Sequence, residues 1–304
     1  MERIAPIDWQ ALTKSLGQAL QQPLEFLEVK PLSGGDINQA VCLRTQSQTF
    51  FVKFNAQRYQ AMMAAEQHSL QTIAQTQTIR CPIPIAHGRT QDCAWLAMEP
   101  LRFGGRRDDF ARGRALALLH QNHNQGAKPF GWLRDNFIGT TPQLNSWHSD
   151  WIEFYAQQRL APQLQWAQQN GAPQRLMQTG TQLLQQLDWF FQDYTPAPSL
   201  LHGDLWAGNS GFLTDGTPVI FDPASYYGDR ETDLAMTELF GGFSPDFYLG
   251  YDSLYPRDKG YAQRVPLYNL YHILNHFNLF GGHYAQQAQS LIERLLKKAL
   301  TESD

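Results

Sequence analysis

Charged residues and cysteine are both scarce in this 304-residue chain. Asp, Glu, Lys and Arg make up 17% of it, well under the ~25% of an average soluble protein. With a net charge of −4, we expect no general attraction to nucleic acid or to a membrane surface. The three cysteines, Cys42, Cys81 and Cys93, are an odd number without metal-ligand spacing, which favours a reducing, cytoplasmic environment over a disulfide framework.

Long apolar runs are also absent. The longest, Ala115–Leu119, is far shorter than the ~20 residues that span a bilayer. The N-terminal segment MERIAPIDWQ has neither a basic region nor an apolar core, so we expect no signal peptide. Hydrophobic residues nevertheless make up 42% and aromatic residues 12% of the chain. That is enough for a buried core, which excludes a disordered chain.

The first hundred residues have the pattern of strands with one helix. Ala40–Arg44 and Thr49–Lys53 are β-favouring runs separated by four polar residues, which predicts an antiparallel hairpin. Helix-forming residues with helical apolar spacing follow over Ala61–Ile73. Ala94–Met98 is predicted to be a buried strand, and Glu99–Gly105, which contains Pro and Gly, is predicted to be a linker.

The remainder of the chain is predicted to be mostly helical, with short strands over Ser199–Leu201 and Val219–Phe221. We therefore predict a lobe of residues 1–98, a hinge of residues 99–105 and a helical lobe of residues 106–304. The predicted helices are Asp108–His120, Trp151–Trp166 with a kink or break at Pro162, Pro173–Phe191, Glu231–Leu239, Tyr261–Phe280 and Gln286–Leu300.

Three polar residues stand out between Leu200 and Asp222. Asn209 follows Asp204 by five residues, and Asp222 comes after the next strand. Phosphoryl transfer to an alcohol needs a carboxylate to orient the hydroxyl and hard oxygen ligands for magnesium, and these residue types supply both. Two alternatives are that Asp204 and Asn209 cap turns, and that the two Asp residues hydrolyse a glycosidic bond.

Residues earlier in the chain favour phosphoryl transfer independently. Lys53 ends a strand and Glu66 lies thirteen residues later in the following helix, the arrangement of a phosphate-binding lysine and its acidic partner. The alternatives are an edge-strand charge and a solvated helix face. The backbone N–H groups around Gly34 and Gly35 could cover phosphates, although an ordinary turn is an equal interpretation.

Three segments are similar to the fructosamine kinase (ketosamine-3-kinase) family, in the aminoglycoside-phosphotransferase-like branch of the kinase fold. They are HGDLWAGN, FDPASYYGDRETDLAMTELFGGF and residues 130–164. The resemblance implies an α+β, two-lobed, protein-kinase-like fold with a small β-rich N-lobe, a larger helical C-lobe and an active site in the cleft.

The reaction that the resemblance implies is ATP- and Mg²⁺-dependent phosphorylation of the 3-hydroxyl of a ketosamine, which begins deglycation. Partners would be small ketosamines or glycated lysine side chains, with no nucleic acid or membrane, and the chain would be a monomer or else a dimer. The alternatives are a kinase for another small alcohol, of the aminoglycoside or choline kind, and a non-catalytic nucleotide-binding module.

The resemblance also implies roles for individual residues. Asp204 would be the catalytic base, and Asn209 and Asp222 would hold magnesium. Lys53, positioned by Glu66, would contact the ATP phosphates. The other nucleotide-binding residues would be Gly34 and Gly35 over the phosphates, Met98 behind the adenine, and Glu99, Pro100 and Leu101 as the hinge.

Substrate contacts are expected from Trp206, on the sugar face or over the amine. Other pocket candidates are Asp135, Asn136, Asn145 and Trp147. Core packing is the alternative for Trp147 and also for Trp151, and a turn or helix cap is the alternative for Asp135 and Asn136.

His202 and Asp233 are expected to be structural, and His272 and His276 are expected to be structural or surface histidines. His202 and Asp233 would brace the catalytic loop. His272 and His276 are four residues apart on a predicted helix, but Ile273 stands where a zincin carries Glu, so a metal pair is not expected.

Overall fold

The structure is a computed structural model that describes residues 6–32 and 38–301. Its contacts divide the chain into two units. The first comprises the described parts of Met1–Asp108 together with Ser210–Pro223, and the second comprises Asp109–Asn209 and the described part of Ala224–Asp304. The segment 210–223 therefore joins a unit that is otherwise built from the first hundred residues.

The first unit contains an antiparallel sheet whose strands pair in the order β1-β2-β3-β5-β4. The hairpin prediction is confirmed, with Val41 opposite Val52. The strands are β1 (Phe26–Leu32), β2 (Gln39–Thr45), β3 (Thr49–Asn55), β4 (Pro84–Arg89) and β5 (Ala94–Met98). Strands β1 and β4 were not predicted, because a proline and several charged or small residues obscure their alternation.

Two helices pack on this sheet, α1 (Trp9–Ala19) and α2 (Gln60–Thr76). The Asp8 carboxylate caps α1 by accepting the backbone N–H groups of Gln10 and Ala11, each at 3.0 Å. One face of α1 reaches the core beside β2, β3 and β5. The core here includes Leu12, Leu16, Val41, Phe50, Val52 and Trp95. Helix α2 contains the predicted helix 61–73 and brings Glu66 under β3.

A hairpin from late in the chain completes the first unit. It consists of β9 (Ser210–Phe212) and β10 (Pro218–Ile220). The Ile220 N–H donates to the carbonyl of Arg80 at 2.9 Å. A Cβ at Gly105 would lie 1.7 Å from the carbonyl oxygen of Leu213, so only glycine permits this approach.

The second unit is mainly helical, with two short strand pairs, β6 (Asn136–Ile138) with β7 (Thr141–Gln143) and β8 (Pro198–Leu200) with β11 (Tyr227–Asp229). Helix α9 packs against α5, α7 and α10. The helices are α3 (Asp109–His120), α4 (Trp151–Phe154), α5 (Ala161–Gln169), α6 (Gln174–Leu184), α7 (Glu231–Leu239), α8 (Pro245–Asp252), α9 (Tyr261–Phe280) and α10 (Tyr284–Thr301). The predictions for α7 and α9 are confirmed at both ends.

Three helical segments differ from prediction. A kink or break is predicted at Pro162; the structure has a π-helical turn over Tyr155–Leu160, after which Pro162 lies in the first turn of α5, where a missing N–H costs little. The helix expected to reach Phe191 ends at Leu184, and a 3₁₀ turn follows. Helix α8 was missed because close packing against α3 supports its weak helical sequence: a Cβ at Gly113 would meet the Phe247 carbonyl at 1.9 Å.

Among the helices of residues 6–32 and 38–301, none combines the length and hydrophobicity of a transmembrane span. The same part of the chain includes all three cysteines, and each is a free thiol. Burial raises the pKa of Cys81 to about 12 and also raises the pKa of Cys93, so both thiols are protonated near neutral pH.

Candidate active site

The loop between β8 and β9 carries Asp204 and Asn209. Asn209 is buried at the end of a 3₁₀ turn, and its Nδ2 donates to the Asp204 carbonyl at 2.9 Å and to Asp204 Oδ2 at 3.2 Å. The side-chain amide thus fixes the turn and the carboxylate together. This contact matches the turn-capping alternative, and it still leaves the Asn209 side-chain oxygen available as a hard ligand.

Asp233 of α7 holds the start of this loop. Its carboxylate accepts the backbone N–H of His202 at 2.7 Å, the N–H of Gly203 at 2.8 Å and Nε2 of His120 at 3.1 Å. Burial alone would raise the pKa of Asp233, but the hydrogen bond and charge of His120, the charge of His202 and the hydrogen bond from the Gly203 N–H together outweigh it and hold that pKa below its usual value. The carboxylate is therefore ionised and anchors two consecutive peptide groups.

His202 and Gly203 set the path of the loop that leads to Asp204. The Asp204 N–H donates to Nδ1 of His202 at 3.2 Å. Gly203 has φ +86°, and a Cβ there would lie 2.1 Å from the Ala224 carbonyl oxygen. A larger residue at position 203 is therefore excluded both by its backbone conformation and by space.

His272 of α9 is a neighbour of Asp204 that sequence reasoning did not identify. Its Nδ1 lies 3.9 Å from Asp204 Oδ1. Burial lowers the pKa of His272 to about 3, with a smaller contribution from His276, so the ring is neutral near pH 7. The sequence carried no signal for this contact, because the two residues lie 68 positions apart and helical spacing predicts neighbours only within one helix.

The buried neutral state of His272 predicts a pH-dependent stability. Below its unfolded pKa of about 6.5 the unfolded chain binds a proton that the folded chain does not, so the free energy of unfolding falls with falling pH until about pH 3. We expect the loss between pH 7 and pH 5 to be about 2 kcal/mol smaller in His272→Asn than in the wild type. Urea unfolding of both proteins at the two pH values measures this difference, and equal losses would contradict it.

The first unit contains a second polar cluster around Lys53. The Lys53 ammonium donates to Glu66 Oε1 at 2.7 Å, to Glu66 Oε2 at 2.9 Å and to Asp222 Oδ1 at 2.9 Å. Burial alone would lower the pKa of Lys53, but the two carboxylates outweigh it and raise that pKa, so the lysine is charged. Burial raises the pKa of Glu66, and the Lys53 charge opposes this.

Asp222 differs from the other two members of this cluster in conformation and exposure. Its backbone is left-handed, with φ +59°, which is uncommon for a residue other than glycine. Its side chain is 42% exposed, whereas those of Lys53 and Glu66 are buried. One carboxylate oxygen is occupied by Lys53, and the second remains a possible ligand.

The predicted hinge follows β5. Met98 is buried, and the Glu99 N–H donates to the Ile83 carbonyl at 3.0 Å. Glu99 Oε1 accepts the Ile83 N–H at 2.6 Å and a hydrogen bond from the Arg80 guanidinium. Pro100 has no N–H. The predicted phosphate-covering glycines, Gly34 and Gly35, lie outside the described residues.

The pocket candidates in the family-like segment differ in exposure. Asn136 and Asn145 are buried and share a hydrogen bond of 2.9 Å, and Arg159 donates to Asn145 Oδ1 at 2.7 Å. Asp135 is exposed and accepts the Asn145 N–H at 2.8 Å. All three of these candidates thus bond to protein groups, and the Asp135 contact joins residues ten positions apart rather than capping a local turn.

The tryptophans also differ in exposure. Trp151 is buried in the core, whereas Trp147 is exposed and stacks beside Tyr227 with ring centroids 6.4 Å apart. Trp206, two residues after Asp204, is 37% exposed. Trp151 is therefore a core residue, whereas Trp147 and Trp206 are not packed in the core.

Among known proteins, the profile of the fructosamine kinase family matches residues 8–298. A probable ketoamine kinase of Synechocystis is 48% identical over 96% of this chain and 98% of its own length. The crystal structure of a putative fructosamine-3-kinase from Haemophilus somnus is 29% identical, with a TM-score of 0.84 over 95% of this chain and 97% of that one.

A more distant solved structure shares the fold. It is a thermostable mutant of the aminoglycoside phosphotransferase APH(4)-Ia in a ternary complex with ADP and hygromycin B. It is 13% identical, with a TM-score of 0.62 over 94% of this chain and 98% of that one. The similarity confirms the kinase-like fold class, with a sheet-rich N-terminal part and a helical C-terminal part.

Proposed function

The chain belongs to the fructosamine kinase family, and from this we infer that it transfers the γ-phosphoryl group of ATP to the 3-hydroxyl of a ketosamine. The observation that carries the inference is family membership over almost the whole chain, together with an intact Asp204–Asn209 loop and Lys53 cluster. Family membership favours this reaction over phosphorylation of another small alcohol and over a non-catalytic nucleotide-binding role.

Asp204 is the proposed base. The ketosamine hydroxyl donates to its carboxylate, the hydroxyl oxygen forms a bond to the γ-phosphorus, and the bond from that phosphorus to the β,γ-bridging oxygen breaks. The hydroxyl proton passes to Asp204 and ADP leaves. Asn209 Nδ2 holds Asp204 Oδ2, so the carboxylate is oriented before the substrate arrives.

Lys53 is proposed to bind the ATP phosphates. Its ammonium is charged and is held by Glu66 from a neighbouring helix, so it presents a fixed positive charge. The lysine would offset the charge on the phosphates, and Glu66 would act as a positioning residue. For the adenine, we propose the Glu99 carbonyl as acceptor and the Leu101 N–H as donor, because the Glu99 N–H is already donated to Ile83.

Asn209 and Asp222 fit a magnesium ion by their chemistry. Each retains a hard oxygen, since Asn209 uses its Nδ2 for Asp204 and Asp222 uses one oxygen for Lys53. No cluster of three or more His, Cys, Asp or Glu side chains suited to a metal exists in the described part of the chain. A carboxylate and an amide oxygen completed by substrate phosphates are the usual Mg²⁺ set. When bound, the ion would neutralise phosphate charge.

Trp206 is proposed to contact the substrate, because it is exposed two residues from the base. An indole ring can stack on the apolar face of a sugar or cover a cationic amine. Trp147 and Asp135 are also proposed to line the substrate pocket. Asn136 and Asn145 both bond to other protein groups, so we propose that they mainly brace this segment and contact the substrate only secondarily.

The test is an acceptor panel. ADP release with ATP and magnesium is measured on a ribulosyl- or fructosyl-lysine, on kanamycin and on choline. We expect turnover on the ketosamine alone, with the phosphate on its 3-oxygen. Turnover on kanamycin or choline alone would support kinase activity but overturn the deglycation role. ATP binding without turnover on any acceptor would favour the non-catalytic alternative.

A further inference from the structure

An exposed row of aromatic side chains begins beside the proposed base. Trp206 meets Phe240 edge to face with centroids 6.1 Å apart, Phe240 lies 5.2 Å from His276, and His276 lies 5.7 Å from Phe280. Phe240 is 46% exposed and Phe280 is 57% exposed. We name Trp206, Phe240, His276 and Phe280 the aromatic strip.

One face of helix α9 runs from beside Asp204 to the protein surface and carries part of the strip. His272, His276 and Phe280 are successive fourth residues and so share one face of the helix. His272 is buried 3.9 Å from Asp204, His276 is half-buried and Phe280 is exposed. At about 1.5 Å per residue, this face runs roughly 12 Å from the base to the surface.

The backbone holds the strip together at two points. Phe240 caps the C-terminus of α7 and is followed by two glycines in left-handed conformation, Gly241 and Gly242. A Cβ at Gly242 would lie 2.4 Å from the Ala207 side chain, so glycine allows the Phe240 segment to approach the turn that carries Trp206. His276 is fixed by a hydrogen bond of 2.7 Å between its Nδ1 and the His272 carbonyl.

The chemistry of a ketosamine indicates which part of the substrate could bind to the strip. In a ketosamine the amine is on carbon 1, so fixing the 3-hydroxyl at Asp204 places the nitrogen within roughly 5 Å of that oxygen. Whatever the nitrogen carries must then extend away from the base. Burial lowers the pKa of His276, so the strip has no positive charge there to repel the ammonium, and its aromatic faces attract both a cation and an apolar chain.

We propose that the aromatic strip binds the apolar chain carried by the ketosamine nitrogen, so that the enzyme selects ketosamines by the length and apolar character of the amine. The proposal rests on the proposed function, because it requires the ketosamine hydroxyl to lie at Asp204. Phe240 and Phe280 are then specificity-determining residues outside the sugar pocket.

Phe240→Ala and Phe280→Ala test this proposal. Two acceptors with the same sugar are compared, one made from methylamine and one from hexylamine, and kcat/KM is measured for each. We expect the hexyl-to-methyl ratio of kcat/KM to fall about tenfold in each variant, mainly through KM for the hexyl compound, because chain binding far from the reacting atoms is lost. Turnover of the methyl compound reports that each variant is folded.

Leu249→Ala is the matched control, since Leu249 is a large apolar side chain of the same unit, 61% exposed and outside the strip. Its ratio should equal that of the wild type. An unchanged ratio in both Phe variants, or an equal fall in kcat/KM on both acceptors, would overturn the strip as the chain's binding site. If the wild type phosphorylates neither acceptor, the proposed function fails and this inference fails with it.

Discussion

Asp204→Asn is expected to lower kcat for ketosamine phosphorylation by about 1,000-fold while ATP still binds. The amide keeps the size of the carboxylate but cannot accept the hydroxyl proton. The Asn209 contact to the Asp204 carbonyl is made by the backbone and therefore survives the change. ADP release and ATP titration on the same preparation separate loss of the base from loss of nucleotide binding.

Asp215→Asn is the matched control for this substitution. Asp215 is an exposed carboxylate in the β9–β10 turn, where it accepts the Thr217 N–H at 2.9 Å. The control should keep wild-type turnover. If Asp204→Asn retains more than a few per cent of the wild-type kcat, proton acceptance by this residue is not the basis of catalysis.

Lys53→Met has the second large expected effect, on both activity and stability. Removing the ammonium leaves the buried Glu66 carboxylate facing Asp222 without a cation. We expect kcat/KM for ATP to fall by about 10²–10³-fold, because the positive charge that would offset the negative phosphates is lost. The free energy of unfolding should fall by about 3 kcal/mol, the cost of breaking a buried pair.

Lys53→Met/Glu66→Gln separates the two effects. Neutralising Glu66 removes the uncompensated carboxylate, so most of the lost stability should return while kcat/KM for ATP stays as low as in Lys53→Met. Urea unfolding and ADP release measure the two quantities. Lys14→Met, on an exposed residue of α1, controls for the substitution itself. Recovery of activity in the double variant would contradict the phosphate-binding role of Lys53.

Several parts of this fold could be predicted from the sequence because their causes are local. The β2–β3 hairpin follows from alternating apolar residues around a short polar turn, and α7 and α9 follow from helical spacing over one continuous run. The pairing of Asp204 with Asn209 is also local, because five residues form one compact turn. Long matching segments carried the family assignment.

Other features needed packing between distant parts of the chain. Helix α8 has a weak helical sequence and depends on the close approach of Gly113 and Gly250 to neighbouring backbone. A π turn precedes Pro162, where the local rule for proline predicted a kink or break. For α8, packing outweighed a weak helical propensity, whereas Pro162 avoids its usual cost because it lies in the first turn of α5.

The sequence by itself determined the residue types of the candidate site, their order and the family, because those depend only on which side chains are present and how they are spaced. Only the tertiary structure decided that Asp222 shares the Lys53 ammonium with Glu66, that His272 lies against Asp204 and that the aromatic strip leads away from the base. Periodicity and turn chemistry act over a few residues, whereas these contacts join residues tens to more than a hundred positions apart. Such contacts form only when the whole core has packed.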